Sequence, residues 1–300
     1  MIKTNLSFRP SGITETDLGF ELAPGTVVND PLWLLHKLDN TASVNSEPIQ
    51  IVIGEGASLT MGTRIDRTGT EDSDISIVYD VKLAKGASVH WTSIQSGSTY
   101  SVNELITVTQ LADSRLDRVA IVGDVKDYQS TIRVALDGEG AHSNIQGLGL
   151  LKDKQELDLT ITIDHNVPNC TSNQLAKNIL ADCSKTTFTG LVSVARDAQK
   201  TNTEQLNRNL LLSDQARAIS QPQLLIDADD VLCAHGSTTG ALEESQLFYL
   251  MSRGLSREDA TSVMVVGFAE EVVEGIPNES VKAVAKAEMT AQLALVLEGF

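Results

Sequence analysis

The 300-residue sequence predicts a mainly β body followed by a small C-terminal helical module. From about residue 50 to about residue 230, short segments alternate apolar and polar residues, for example at residues 75–81 and 157–163. Period-two alternation marks half-buried strands, and no convincing amphipathic helix lies between them. After about residue 240, the apolar residues recur instead with the period of a helix.

The first fifty residues contain one predicted helix, at residues 31–38. Asp30 can cap this helix and Pro31 can take its first position. A helix here would cover an open end of the β body, where strand edges and apolar surface would otherwise meet water. We therefore expect an N-terminal segment over residues 1–50, with a short capping helix and with the first clear strand at its end.

Residues 51–236 form the predicted β body, and a weak repeat runs through it. Gly56-Ala-Ser-Leu59 recurs as Gly86-Ala-Ser-Val89, each time beside a predicted strand. A glycine followed by a small residue suits the sharp corner between successive strands of a solenoid. A sandwich or jelly roll would give a similar strand pattern, so periodicity alone leaves the architecture open.

Three helices are predicted in the C-terminal module, residues 237–300. The first ends near Gly254, the second starts at a Ser256 cap, and the third starts at an Asn278 cap. The apolar residues of this pattern are Leu247, Leu250 and Met251 on one face of the first helix, Ala260, Val263, Met264, Gly267 and Phe268 facing inward in the second, and Val281, Val284, Ala285 and Leu293 in the third.

Acidic residues outnumber basic ones by 40 to 23, which gives a formal charge of −17. Such a charge opposes binding to phosphate backbones and to anionic lipid. No window approaches the roughly 20 apolar residues of a membrane span, and residues 1–9 lack the apolar stretch of a signal peptide. We therefore expect a cytoplasmic protein with no nucleic-acid and no membrane partner.

Three cysteines, Cys170, Cys183 and Cys233, are too few and too scattered for a disulfide framework or a self-contained metal site. We expect Cys183 to be a buried free thiol that packs as a small hydrophobic side chain. Cys170 lies in a turn-to-strand context, and we expect it and the nearby His165 to be structural. A metal bound by these cysteines would need other ligand types or another chain.

Seven motifs between residues 165 and 254 resemble the C-terminal half of the SufB/SufD family, in the family's order. They are residues 165–172 (HNVPNCTS), 188–194 (FTGLVSV), 198–201 (AQKT), 205–213 (QLNRNLLLS), 222–226 (PQLLI), 229–236 (DDVLCAHG) and 247–254 (LFYLMSRG). The resemblance implies a right-handed parallel β-helix followed by a C-terminal helical domain. It also implies a non-enzymatic subunit of an iron–sulfur cluster assembly machine.

In that family, two such subunits associate through their β-helices, and each helical domain docks one copy of the ABC-type ATPase SufC. The resemblance therefore implies pairing with a SufB-like subunit or with a second copy of this chain. The docking residues that it implies lie in the last motif and are Leu247, Phe248, Tyr249, Arg253 and Gly254. We expect pairing through the last strands of the β-helix, around residues 223–235, where Leu224, Leu225, Ile226 and Val231 are apolar.

The sequence also departs from the family. Members are often considerably longer at the N-terminus, so this chain resembles a reduced form. SufB-type chains carry a scaffold cysteine shortly before the Pro-x-Ile-like strand, but residues 212–217 have none. The Cys233-Ala-His235 pattern is SufD-like, whereas the last helix and its ending are more SufB-like, which leaves the paralogue open.

Cys233 and His235 are the candidate ligands of a nascent iron–sulfur cluster, a transient cargo of iron and sulfide. Residues two apart in a strand project to the same face, and a thiolate beside an imidazole suits iron. The resemblance adds that His235 matches a family position linked to cluster assembly. The alternative is a buried thiol with a hydrogen-bonded histidine.

Enzymatic functions find little support in the sequence. It contains no G-x-x-x-x-G-K-[ST] loop for ATP, and no G-x-S-x-G, H-E-x-x-H or G-x-G-x-x-G motif, so we expect no enzyme and no bound nucleotide. Three hypotheses remain, in this order: a cluster-assembly scaffold, a purely structural dimer partner without ligands, and a β-helix polysaccharide-processing enzyme. The last would need an aromatic-lined sugar groove, which two Trp and four Tyr do not favour.

Overall fold

The computed structural model describes residues 3–7, 10–38, 43–67, 73–97 and 100–298. Within these ranges the chain folds as a parallel β-solenoid of about seven turns with three helices after it. The strands are β1 (Lys3–Leu6), β2 (Ile13–Thr16), β3 (Gly19–Leu22), β4 (Val27–Leu38), β5 (Ser43–Asn45), β6 (Ile49–Ile53), β7 (Ser58–Arg67), β8 (Ser73–Leu83), β9 (Ser88–Ser96), β10 (Tyr100–Gln110), β11 (Arg115–Gly123), β12 (Asp127–Leu136), β13 (His142–Leu151), β14 (Glu156–His165), β15 (Thr171–Leu180), β16 (Lys185–Val194), β17 (Asn202–Leu211), β18 (Arg217–Ile226) and β19 (Leu232–Gly240).

Two long sheets form the walls of the solenoid. The first sheet has the order β1-β4-β7-β9-β11-β13-β15-β17-β19, and the second has the order β18-β16-β14-β12-β10-β8-β6-β3-β2, with β5 beside β8. Neighbouring strands are parallel except for the pairs β1/β4 and β2/β3. The chain thus alternates between the sheets, and each coil stacks on the one before it. The predicted β-helix architecture is confirmed, and the sandwich and jelly roll are excluded.

Along each strand, every second side chain points inward, and these side chains fill the space between the two sheets. In β10, for example, every second residue is buried, and Val102, Ile106 and Val108 are at most 2% exposed. Corners between coils use residues that tolerate a left-handed backbone, including Gly56 at φ 65° and Gly86 at φ 67°. The predicted role of the repeated Gly-Ala-Ser segment as a corner is therefore confirmed.

The helix predicted at residues 31–38 is wrong, because these residues lie in strand β4. Leu32, Leu34 and His36 are buried in strict alternation, and β4 pairs in parallel with β7. The chain forms a strand here because every second side chain is buried against the next coil, although Asp30 could have capped a helix. Pro31 is tolerated because the register shifts between Val28 and Leu32, where a strand needs no ladder hydrogen bond from it.

The predicted domain bounds also change at both ends of the β body. Strand β3 already pairs with β6, and its Phe20 and Leu22 are each 2% exposed, so the solenoid begins well before residue 51. At the other end β19 continues to Gly240, which places residues 237–240 in the solenoid instead of the helical module.

The helices are α1 (Glu244–Ser252), α2 (Arg257–Glu274) and α3 (Glu279–Val296). Ser256 and Asn278 cap α2 and α3 through their side-chain oxygens, as predicted. Helices α2 and α3 pack on the outer face of the first sheet, with α2 against β13 and β15 and α3 against β9, β11 and β13. This second core joins the following buried side chains: Val119, Ile121, Leu148, Leu150, Ile179, Val265, Ala269, Val272, Val273, Ala285, Met289 and Leu293.

The inward face of α2 was predicted only in part. Ala260 is buried and Phe268 packs against the second core, but Val263 is 52% exposed and Gly267 is exposed. Val265, Ala269 and Val272 face the sheet instead. Helix α2 carries small and branched apolar residues on two stripes, so its own sequence could not decide which stripe meets the strands.

Candidate functional site

Cys233 and His235 lie on β19, the last strand of the first sheet. Their register partners on β17 are Thr203 and Gln205, both at most 2% exposed. Cys233 and His235 therefore face the inside of the solenoid, and their predicted common face is confirmed. Among the residues that the structure describes, no further coil covers this end, and Cys233 is half-buried while His235 is exposed.

The inner face behind these two residues is polar over three successive coils. Three rows run across β15, β17 and β19 by register: a hydroxyl row (Ser172, Thr203, Cys233), a glutamine row (Gln174, Gln205, His235) and an asparagine row (Asn178, Asn209, Thr239). In the hydroxyl row, Ser172 Oγ and Thr203 Oγ1 are 2.7 Å apart, and His165 Nε2 lies 2.9 Å from the same Ser172 oxygen. Two of the three rows thus end at a candidate ligand.

The other two rows are joined by side-chain amides. Gln205 Nε2 donates to Gln174 Oε1 at 2.8 Å, and Asn178 Nδ2 donates to Asn209 Oδ1 at 2.8 Å. Asn209 Nδ2 also lies 3.1 Å from Thr239 Oγ1, which closes the asparagine row. A polar interior is unusual beside the aliphatic core of the earlier coils, and it marks this end of the solenoid.

The protonation of Cys233 depends on its apolar surroundings. Cys233 packs against a small cluster formed by Val192, Val194, Ala198 and Ala228, and burial raises the pKa of its thiol. At neutral pH the thiol is therefore protonated, and binding of a metal ion would have to displace the proton. Among the described residues, no group of three or more His, Cys, Asp or Glu side chains could hold a metal ion. One chain offers two candidate donors here, a thiol and an imidazole.

The remaining cysteines differ in their surroundings. Cys170 is fully buried at a corner, with Sγ 3.3 Å from the carbonyl oxygen of Gly138, and burial raises its pKa, which agrees with a structural role. Cys183 was expected to be buried, but it is half-exposed and its Sγ lies 2.7 Å from Gln215 Oε1. Cys183 is a turn residue two positions before β16, whereas Cys170 lies immediately before β15, where the chain re-enters the solenoid wall.

The open end of the solenoid consists of two unpaired edges, β18 and β19. Large apolar side chains are exposed on both: Ile219 at 53%, Leu225 at 59%, Ile226 at 38% and Leu232 at 72%. Of the four apolar residues predicted for this edge, Leu225 and Ile226 are outward, whereas Leu224 and Val231 pack against the cluster below Cys233. Free backbone donors and acceptors beside exposed leucines are typical of a surface that pairs with another strand.

A second apolar surface lies on α1. Phe248 is 74% exposed, Tyr249 is 57% exposed and Met251 is 39% exposed, and we call these three residues the α1 patch. The other residues predicted for docking have structural roles. Leu247 is 2% exposed and anchors α1, whereas Gly254 ends the helix region at φ 100°. Arg253 stacks on Tyr249, with its guanidinium carbon 5.3 Å from the ring centre.

Sequence reasoning missed Thr203 and Gln205, which lie nearest to the candidate ligands. A signal was present, since polar residues at every second position recur at intervals of 31 residues from Ser172 to Thr203 and 30 residues from Thr203 to Cys233. Such an interval is the length of one coil. Without knowledge of the coil length, these positions look like ordinary polar strand residues.

Comparison with known proteins identifies related chains. The family model described as the SufBD core domain of the SUF system for FeS cluster assembly matches residues 36–268. A SufBD-family iron–sulfur cluster assembly protein of Synechocystis is 30% identical over 285 residues, covering 91% of this chain and 62% of that protein. The iron–sulfur cluster assembly protein SufD of Escherichia coli is 38% identical over 147 residues, covering 49% of this chain and 35% of SufD.

SufD of Bacillus subtilis is 29% identical over 252 residues, which covers 83% of this chain and 57% of that protein. The chain thus spans about three fifths of the length of the relatives that it matches over most of its own length. In the part of the chain that the structure describes, no helix is both long enough and apolar enough to cross a membrane.

Proposed function

This chain belongs to the SufBD family of iron–sulfur cluster assembly proteins, and from that premise we propose that it is a scaffold subunit of a SUF-type assembly complex. In this proposal the chain holds iron and sulfide as a transient cargo and hydrolyses no nucleotide itself. The observation that carries the proposal is the open end of the solenoid, where Cys233 and His235 face inward between two unpaired, apolar strand edges.

The first step is pairing with a SufB-like subunit or with a second copy of this chain. Strands β18 and β19 can extend both sheets into a partner, and the contact would bury Leu225 and Leu232. Burial of apolar area stabilises the pair by about 25 cal/mol per Å² before the cost of association. A two-fold contact of this kind also brings the same patch of both subunits together.

Pairing would supply the donors that one chain lacks. A second Cys-His pair, or the equivalent residues of a different partner, would join Cys233 and His235 in a dry interface. Thiolate and imidazole are soft and borderline donors that suit iron. Because iron displaces the thiol proton, assembly would release protons and weaken as the pH falls.

The α1 patch is the proposed docking site for the ABC-type ATPase SufC. Phe248 and Tyr249 project from a helix that buries Leu247 and pairs Glu244 with Arg257 of α2, and exposed aromatic side chains are typical centres of protein interfaces. The ATPase would supply the nucleotide chemistry, since this sequence contains no phosphate-binding loop motif. Family membership gives no support to the polysaccharide-processing alternative.

Anaerobic reconstitution with iron and sulfide tests the proposal. Cys233→Ser and His235→Ala should each lower the iron retained by the paired protein without lowering its melting temperature. Cys183→Ser is the matched control, because that thiol lies in a turn and contacts Gln215, outside the row of inward-facing residues that contains the candidate ligands. Full retention of iron and sulfide by the folded double variant would leave the chain as a structural partner without ligands.

A further inference from the structure

The glutamine row leaves one acceptor unused at its outer end. Gln205 is fully buried, and its amide nitrogen is occupied by the 2.8 Å hydrogen bond to Gln174 Oε1. Its carbonyl oxygen Oε1 is buried and has no hydrogen-bond partner among the residues that the structure describes. A buried acceptor without a partner lowers the free energy of unfolding by about 1 to 3 kcal/mol. A role for this oxygen outside the free chain would account for that cost.

The amide of Gln205 has little freedom to move away. A β-carbon on Gly190 would lie 2.1 Å from Gln205 Nε2, so only a glycine at this position of the opposite sheet leaves room for the amide. Gln174 holds the same nitrogen from the previous coil. The position of the amide is thus held by two neighbours before any ligand arrives.

The residue next to this carbonyl in the following coil is His235. Gln205 and His235 are register partners on the parallel strands β17 and β19, so their side chains share the inner face. An imidazole that binds iron through one nitrogen carries a proton on the other, and metal-bound histidines nearly always donate that N–H to an acceptor.

The asparagine row provides a comparison for the glutamine row. It crosses the same three strands, but Asn209 accepts from Asn178 and donates toward Thr239, so the row is closed at its outer end. Neither Asn178 nor Asn209 has a buried polar atom without a partner among the described residues. The glutamine row differs because two of its atoms have no partner among the described residues, Gln174 Nε2 at its inner end and Gln205 Oε1 at its outer end, where the row meets a histidine.

We infer that Gln205 is a positioning residue for His235, with its carbonyl oxygen accepting the ring N–H that faces away from iron. This inference rests on the proposed function for the role of His235 as a ligand. Gln205 would select the tautomer of His235 and hold the ring in the plane that ligation requires. Gln174 would act one step further back by fixing the amide of Gln205.

The tautomer of His235 tests the inference in the metal-free protein. Nitrogen-15 labelled histidine reports by NMR which ring nitrogen carries the proton in the isolated, folded chain. The wild type should show one tautomer of His235, Gln205→Met should show the mixture typical of a free histidine, and Gln205→Glu should restore one tautomer. Asn209→Leu is the matched control and should leave His235 as in the wild type. Equal tautomer populations in the wild type and Gln205→Met would overturn the inference.

Iron binding gives the second measurement and separates the inference from the proposed function. Gln205→Met should weaken Fe²⁺ binding about 10-fold or more, and it should have no further effect in the His235→Ala background. If His235→Ala leaves iron binding unchanged, the ligand assignment fails, while the NMR result still decides the positioning role. A Gln205→Met protein with a lower melting temperature and an unchanged His235 tautomer would make Gln205 an ordinary core residue.

Discussion

Glu104 and Arg118 form an ion pair inside the solenoid, with Arg118 Nη2 2.8 Å from Glu104 Oε2 and both side chains at most 2% exposed. The hydroxyls of Tyr128 and Ser130 donate to the same carboxylate oxygen at 2.8 and 3.0 Å. The Arg118 guanidinium also lies over the ring of Trp91, 5.2 Å from its centre. Because both side chains are buried, these hydrogen bonds stabilise the two charges in place of solvent.

Arg118→Met should lower the free energy of unfolding by roughly 3 to 5 kcal/mol, because it leaves the Glu104 carboxylate buried without its cation. The double variant Glu104→Gln/Arg118→Met should recover most of that loss, since two neutral side chains need no counter-charge. Urea unfolding at neutral pH measures both. Lys185→Met, which removes the exposed pair with Glu156, is the control and should change stability little. A single variant no less stable than the double variant would contradict the expectation.

Helices α1 to α3 should be needed for solubility. Deletion of residues 241–300 would expose Val119, Ile121, Leu148 and Ile179 on one face of the first sheet. We expect the truncated chain to aggregate, as measured by light scattering and by binding of an apolar dye. Phe248→Ala/Tyr249→Ala is the control and should stay soluble, because both side chains are already exposed. A truncated chain that stays soluble and binds no dye would show that helices α1 to α3 are not needed for solubility.

The α1 patch can be tested without removing the helices. Phe248→Ala/Tyr249→Ala should weaken association with SufC by at least about 10-fold, since exposed aromatic side chains carry much of the energy of typical interfaces. Val263→Ala is the matched control, because Val263 is 52% exposed on the neighbouring helix. If Phe248→Ala/Tyr249→Ala co-purified with SufC as well as the wild type, the docking site would not be the α1 patch. If Val263→Ala weakened association with SufC as much as the double variant, the docking surface would extend onto α2.

The strands and the pair of candidate ligands could be predicted because both depend on short-range geometry. Cys233 and His235 are two residues apart on one strand, so their common face follows from the sequence alone. Their neighbours Thr203 and Gln205 lie 30 residues earlier, and this contact depends on the register between coils. No local pattern contains that register, which is why the polar rows became visible only in the structure.

Two wrong predictions, the helix at residues 31–38 and the inward face of α2, also concern features that long-range contacts decide. Residues 31–38 carry both a helix-capping signal and period-two alternation, and pairing with β7 decided in favour of the strand. Helix α2 has two apolar stripes, and the first sheet covered the one with Val265 and Ala269. In each case the sequence allowed two local solutions and long-range packing selected one of them.

His165 should make stability depend on pH. Burial lowers the pKa of His165 to about 4, and Ser172 and Thr201 offer it only hydroxyl partners. The unfolded chain takes up the proton near pH 6.5, so the stabilisation is complete above that pH and is lost as the pH falls toward 4. The loss should amount to roughly 3 kcal/mol.

The variant His165→Gln isolates this contribution. Its unfolding free energy should fall less than that of the wild type between pH 6.5 and pH 4, because glutamine does not titrate. His36, whose pKa burial also lowers to about 4, is present in both proteins and cancels in the difference. If the difference in unfolding free energy between wild type and variant stayed constant over this pH range, His165 would take up its proton in the folded chain as readily as in the unfolded chain.

Pairing through the open end should depend on the leucines of its two edges. Leu232 is 72% exposed on β19 and Leu225 is 59% exposed on β18, and a lysine at either position would bring an ammonium group into the buried contact. Leu232→Lys and Leu225→Lys should therefore each weaken self-association, or association with a SufB-like partner, by at least about 10-fold, which corresponds to about 1.4 kcal/mol. Leu111→Lys is the matched control, because Leu111 is 46% exposed at a corner remote from these edges. Analytical ultracentrifugation of each variant, alone and mixed with the partner, measures the effect. A wild-type chain that stays monomeric alone and with every SufB-like partner would refute pairing, and edge variants that associate as well as Leu111→Lys would place the contact on another surface.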